Sequence, residues 1–322
     1  MKLWNSLTAL FKPTVFSCDP SLLNALADIA NPRIKLASRY QARLQNACAI
    51  AVSWSGRSVA LLPAPVELSS SSWNTEPHTH AAFGTSESVQ ETISHSEEAQ
   101  TWFAQNPLAD HAYAVLVMQS QLQQRYGMEV FGDSVRQDVA QQVFVCRAQQ
   151  LSQVAGSIDE LHSKLGQRLL KLVASHAAWH IEAREQFKRQ LEAELEQVRI
   201  SWRYCKPTEA RYAALTQQVN QLSTEFNACR SALEPEAMLA LLETSLTDAN
   251  SHIKLETQRL NLNKMGVVVG NDADADAAEI TLSHVLAERG QWLDRTIVPV
   301  KILRTDIIPP KDFSQRLDEV LF

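Results

Sequence analysis

Glycine is scarce: the chain has 9 in 322 residues, and long stretches hold no proline. Both residues weaken helix interiors more than any other, so their scarcity favours helix. Cysteine is few and odd in number. Cys18, Cys48, Cys146, Cys205 and Cys229 include no C-x-x-C pair, which excludes a disulfide framework and a zinc ribbon and fits a reducing cytosol. No run of eighteen apolar residues occurs, which argues against a transmembrane helix. Residues Met1 to Pro13 start with a lysine after the methionine, but their apolar part is broken by polar residues and lacks a small-residue cleavage site, so no secretory signal is expected. Phosphate loops are absent too. There is no G-x-x-x-x-G-K-[ST], and "GVVVG" lacks the G-x-G-x-x-G spacing. "WSGRS" is not the G-x-S-x-G of a nucleophile elbow, so Ser55 and Ser58 read as turn residues.

What remains suits a large fold. Hydrophobic residues make up 45% and charged residues 20%, with a net charge of −6, enough for one large domain or two modest ones. The acidic balance argues against a nucleic-acid partner for the chain as a whole. Charge is uneven. Met1 to Val66 holds seven Lys/Arg against two Asp/Glu, and Glu67 to Asp110 holds seven acids and no Lys/Arg. Arg33, Lys35, Arg39 and Arg43, with Tyr40 among them, form the best basic cluster, read as a solvated face.

Leu3, Trp4, Leu7, Leu10 and Phe11 recur at helical spacing until Pro13, a short amphipathic helix that docks on its own protein or lies on a membrane surface. The residues around Ser55-Gly56-Arg57 read as a β-hairpin, which completes a basic module over 1–66. The serine-rich acidic stretch 67–96 reads as a linker or long loop, with His78 and His80 on its surface. Helix is expected throughout 97–265. Within it, Ser157 and Glu160 form a capping box, and steps of three and four run from Ile158 to Trp202, predicting one helix of about 45 residues, nearly 70 Å long. After Pro207 the heptad positions Leu215, Val219, Leu222 and Phe226 face Leu191, Leu195 and Val198, the pattern of an antiparallel coiled-coil arm. A further helix follows Pro235 and ends with a cap at Gly266. Residues 266–322 read as strand, helix, strand, helix, with Pro299 on an edge strand, packing with the N-terminal module. The expected fold class is therefore mainly α: a long antiparallel coiled-coil or helical-bundle region with a small mixed α/β head.

His176 and His180 share one helix face, since four residues is a little more than one turn. Glu182 and Glu185 point nearly opposite, and H-E-x-x-H is absent. A metal site would need a third ligand from elsewhere, with Asp110, His111, His252 and Glu256 as candidates. The spacing otherwise places His176 and Trp179 in an inter-helix seam with His180 at its edge. "DADAD" from Asp272 resembles half a calcium loop but lacks the glycine and the closing glutamate, so it reads as acids before a helix N-terminus.

The expected function is a non-enzymatic scaffold or adaptor without cofactor. It would bind another protein or a second copy of itself through the seam residues named above, in the cytoplasm. The alternatives are a metal-dependent enzyme using His176 and His180, and a peripheral membrane protein anchored by its first helix.

Overall fold

The computed structural model describes residues 18–131, 134–270, 277–289 and 291–308. In chain order the elements are α1 (Pro20–Ala30), a 3-10 turn (Pro32–Leu36), α2 (Tyr40–Ala60), β1 (Val66–Leu68), α3 (Pro77–Ala82), α4 (Ser86–Ser94) and α5 (Glu97–Gln105). Next come β2 (His111–Phe131), β3 (Ser134–Ala155), α6 (Ile158–Tyr204), α7 (Arg211–Ser231), α8 (Pro235–Thr247) and α9 (Ala249–His252). The chain continues with β4 (Ile253–Leu262), β5 (Ala278–Arg289), β6 (Gln291–Leu303) and a 3-10 turn (Arg304–Asp306). Two compact units result. Unit 1 comprises Met1–Ser55, Gln167–Ile253 and Glu288–Gly290; unit 2 comprises Gly56–Gly166, Lys254–Ala287 and Gln291–Phe322. The N-terminal amphipathic helix with Leu3, Trp4, Leu7, Leu10 and Phe11, the "DADAD" acids and the final helix lie outside the described residues.

Unit 2 is built on a curled, predominantly antiparallel six-stranded sheet, a half-barrel, with strands in the order β3-β2-β6-β5-β4 and β1 parallel beside β6. The expected mainly-α fold is thereby overturned: this is an α/β protein. Ala112, Ala114, Leu116 and Met118 of β2 alternate into the core with Val298, Val300 and Ile302 of β6 and with Ile280 and Leu282 of β5. Alternation at a period of two is what a half-buried strand requires. The remaining layer is Ala82, Val89, Ile93, Ala99 and Phe103 from α3, α4 and α5, so the stretch 67–96 is structured rather than a linker. Its serines hold the chain together: Ser69 and Ser72 each donate a backbone N–H to the other's hydroxyl, at 3.2 and 3.0 Å. Arg304 closes the base of the layer, donating to the carbonyls of Ala109, Phe103 and Asn106 and lying 4.9 Å over the Phe103 ring.

The reason these strands read as helices is physical. β2 and β3 are rich in Gln, a good helix former. β3 also carries extra residues. Ala148 and Gln153 have φ of 53° and 60°, and the β2–β3 register shifts between Tyr113 and Val115 and between Val117 and Gln119. Such bulges bend a strand and break its alternation, so buried Phe144, Leu151 and Val154 fall seven and three residues apart, a helical interval. β4 and β5 were assigned to helices on similar grounds. Gly266, with φ of 72°, serves a turn after β4 and not a helix cap. Pro299 stands opposite Val115 inside the sheet rather than on an edge; burial of Val298 and Val300 beside it outweighs one lost ladder bond.

Unit 1 is helical. The expected hairpin around Ser55-Gly56-Arg57 is the C-terminal part of α2, whose buried Leu44, Ala47, Cys48, Ala51, Val52 and Ser55 follow helical spacing. Ser55 Oγ donates to the Val52 carbonyl at 3.0 Å, which satisfies the hydroxyl in place. Arg43 forks onto Glu243 at 3.0 and 2.7 Å and reaches Glu236 at 2.6 Å, fastening α2 to α8. α6 is one helix of 47 residues. At its start Ser157 Oγ accepts from the Glu160 N–H at 3.2 Å, while the Glu160 carboxylate accepts from Gly156 N–H at 2.8 Å, one residue earlier than a capping box requires. α7 returns along α6: Trp202 donates to Thr216 at 3.0 Å, Lys188 lies 5.8 Å over the Phe226 ring, and Cys229 meets the Arg184 carbonyl at 3.3 Å. This hairpin is a pair of antiparallel helices, not the long coiled-coil region expected.

Leu242 of α8 is fully buried, whereas Phe187 of α6 is 50% exposed. Leu242→Ala should therefore destabilise by about 2–5 kcal/mol and Phe187→Ala by about 0.5 kcal/mol or less, as read from urea unfolding midpoints.

Candidate metal centre

Three elements of unit 1 converge on one histidine. α6 presents His176 and His180 one turn apart, and the short α9 ends in His252. Glu288, near the end of β5, supplies a carboxylate. His176 is 3% exposed, while the Glu288 side chain is 41% exposed, so the cluster reaches from the helical interior to solvent. The donor atoms of His176, His252 and Glu288 all lie within 4.8 Å of one another. His176 Nε2 is 3.8 Å from Glu288 Oε2, and His252 Nδ1 is 3.4 Å from the same oxygen. His180 Nε2 is 3.1 Å from His176 Nε2. With bonds of about 2.0–2.1 Å, a tetrahedral zinc site has edges of about 3.3–3.4 Å. The two separations from Glu288 lie at that value and slightly above it.

The rings are packed closely. His176 stacks on His252 with centroids 3.9 Å apart and planes at 22°, and meets His180 edge-on at 4.5 Å. Trp179 sits edge-on to His180 at 4.8 Å. Two stacked imidazoles aim their in-plane lone pairs side by side, so joining one ion requires His252, the more exposed ring, to turn out of the stack.

Electrostatics keep His176 and His180 neutral. Burial chiefly, then His252 and His180 beside it, lower the His176 pKa to about 4, against an opposing pull from Glu288. Burial and then Arg184 lower that of His180. A neutral imidazole has the free lone pair that a metal needs. His176 Nδ1 is buried and has no hydrogen-bond partner among the described residues, so Nε2 is the nitrogen directed at the other donors.

Of the four third-ligand candidates, only His252 joins the pair. His111 packs edge-on to Tyr113 at 5.6 Å on β2, the Asp110 carbonyl accepts from Arg304, and Glu256 is exposed on β4. Glu288 was missed because its segment reads as a helix; no local signal ties it to a histidine more than a hundred residues away. The other histidines have structural partners. Thr281 N–H donates to His78 Nε2 at 3.0 Å, which leaves its Nδ1–H for Glu76 at 2.9 Å. His80 bonds the Lys264 carbonyl at 3.0 Å. The basic cluster stays at the surface but is largely paired: Lys35 pairs with Asp28 at 2.6 Å, Arg33 donates to the Leu233 carbonyl at 3.2 Å, and Arg43 takes two glutamates. Among the seam residues, Leu191, Leu195 and Leu222 are buried and Val198, Leu215, Val219 and Phe226 are half-buried. They pack within the α6–α7 hairpin. No helix of the described residues is long and apolar enough to cross a membrane.

A buried neutral histidine makes stability depend on pH with a fixed sign. The His176 pKa is lower when folded, so the unfolded chain binds more protons between pH 6.5 and about 4. The stabilisation is complete above pH 6.5 and is lost as pH falls. In metal-free protein the unfolding free energy should drop by about 2 kcal/mol from pH 7 to pH 5 through this group. His176→Gln should flatten that part of the profile in urea titrations at the two pH values. Comparison of the chain with protein-family models, with curated proteins and with solved structures found no match.

Proposed function

We propose that the protein is a metal-dependent enzyme whose unit 1 binds one zinc-class divalent ion through His176, His252 and Glu288. The observation that carries the reading is the convergence of three donors from α6, α9 and β5 within 4.8 Å. Two imidazoles and a carboxylate suit zinc, iron or manganese rather than calcium, which takes oxygen ligands only. Three protein ligands leave a position for water, and the exposed side of Glu288 gives that water a path to solvent. A bound ion of this kind lowers the pKa of its water toward neutrality and makes hydroxide available for hydrolysis. His180, neutral and beside His176, is the group placed to take the proton. The adaptor reading has less behind it, because the apolar seam it needs is already covered by α7.

Equilibrium dialysis against zinc should give one ion per chain. His176→Gln and His252→Gln should each weaken binding by at least about 100-fold, since even second-shell changes cost 10–100-fold. Zinc at about 100 times its Kd should raise the unfolding free energy by about 2.7 kcal/mol. Absence of stoichiometric uptake, or equal uptake by both variants, overturns the proposal.

A further inference from the structure

We infer that unit 1 holds a second site, independent of the metal centre: a cavity for a small phosphoryl ligand of the diphosphate class, carrying two or more negative charges. The cavity, about 390 Å³, lies where the 3-10 turn after α1, α6, the end of α7 and the start of α8 meet. That volume falls in the range of small-molecule sites, about 300–1,000 Å³. Arg33 reaches it from the turn, Lys188 and Arg189 from α6, and Arg230 from the last turn of α7. All its lining residues belong to unit 1. Along α6, thirteen residues separate Arg189 from His176, a rise of about 20 Å at about 1.5 Å per residue.

Charge and geometry select the occupant. Four cations against two carboxylates, Glu185 and Glu234, leave an excess of two positive charges in a chain whose net charge is −6. Leu233 is the one apolar lining residue among the described residues, which offers little to a hydrocarbon body. Pairs of opposite charge three or four residues apart on a helix are ordinarily favourable. Arg189 has Glu185 and Glu192 at those distances, and Arg230 has Glu234, yet neither arginine makes an ion pair among the described residues; Glu185 turns to Arg33 instead. Two guanidinium groups therefore stay open to a ligand. A carboxylate has two oxygens in one plane, and a single guanidinium fork satisfies it. A phosphoryl group has three strong acceptor oxygens in different directions, so donors arriving from three elements can share it.

The other two cations are held before any ligand arrives. Arg33 Nη2 donates to the Leu233 carbonyl at 3.2 Å, and its Nη1 lies 3.9 Å from Glu185 Oε1. Lys188 Nζ lies 5.8 Å over the Phe226 ring. Donors already in place lower the ordering cost of binding.

The test is calorimetric titration of the full, metal-free chain with pyrophosphate and with citrate. Pyrophosphate should bind at one per chain, and citrate about tenfold more weakly or worse. Arg189 and Arg230 are exposed, so Arg189→Glu and Arg230→Glu should each keep the wild-type melting temperature and weaken pyrophosphate by about tenfold or more. His176→Gln, which removes a proposed zinc donor, should bind pyrophosphate as the wild type does. Zinc uptake by Arg189→Glu should likewise match the wild type, so failure of one site is distinguishable from failure of the other. A loss of pyrophosphate binding in His176→Gln would place the anion at the histidine cluster. Uptake that never saturates at one per chain, or wild-type affinity in both arginine variants, would make it a loosely held surface ion only. Each of these overturns the inference, as does equal affinity for citrate.

Discussion

An imidazole sealed inside helical packing cannot carry charge without a large desolvation cost, and His176 obeys that constraint. It is held neutral by burial against the α6 face, under the ring of His252, with Val173, Ala174, Ala177 and Ile181 buried around it. Its remaining polarity has to be met by something. The geometry brings three partners, His180, His252 and Glu288, each from a different route through the chain. A structural histidine in a seam needs two hydrogen bonds, one donated and one accepted. Two imidazoles and a carboxylate with donor atoms within 4.8 Å of one another, and His180 beside them, are more than packing requires, and this surplus argues for an ion.

Unit 2 rests on a different constraint, the need of a long hairpin to bend. β2 and β3 run 21 and 22 residues, longer than a flat sheet would tolerate beside three short helices. Left-handed residues at Asp138, Ala148 and Gln153 supply the extra length on one strand that curls the sheet. α3, α4 and α5 cover part of the curled face.

Legibility followed the range of the interactions. α6 was readable residue by residue, because the steps of its apolar face and the Ser157 cap are local. The α6–α7 hairpin was readable for the same reason, through one short connection after Cys205. α2 was misread because Ser55-Gly56-Arg57 looks like a turn. A glycine inside a helix costs only about 1 kcal/mol, and the burial of Cys48, Ala51 and Val52 exceeds it. The strands β2 to β5 were misread because glutamine-rich alternation with bulges mimics helical spacing. That error hid Glu288: a residue assigned to the wrong element cannot be placed against His176 or His252. His252 was named as a ligand candidate from its residue type, but its position at the end of α9, just before β4, was not foreseen.

X-ray absorption at the zinc edge of the loaded protein tests the central claim most directly. The account predicts nitrogen and oxygen neighbours at about 2.0–2.2 Å, with the outer-shell scattering of imidazole rings. Sulfur neighbours at about 2.3 Å would place the metal on cysteine, and a shell of oxygens without imidazole would place it on surface acids. Either result would contradict a centre built on His176.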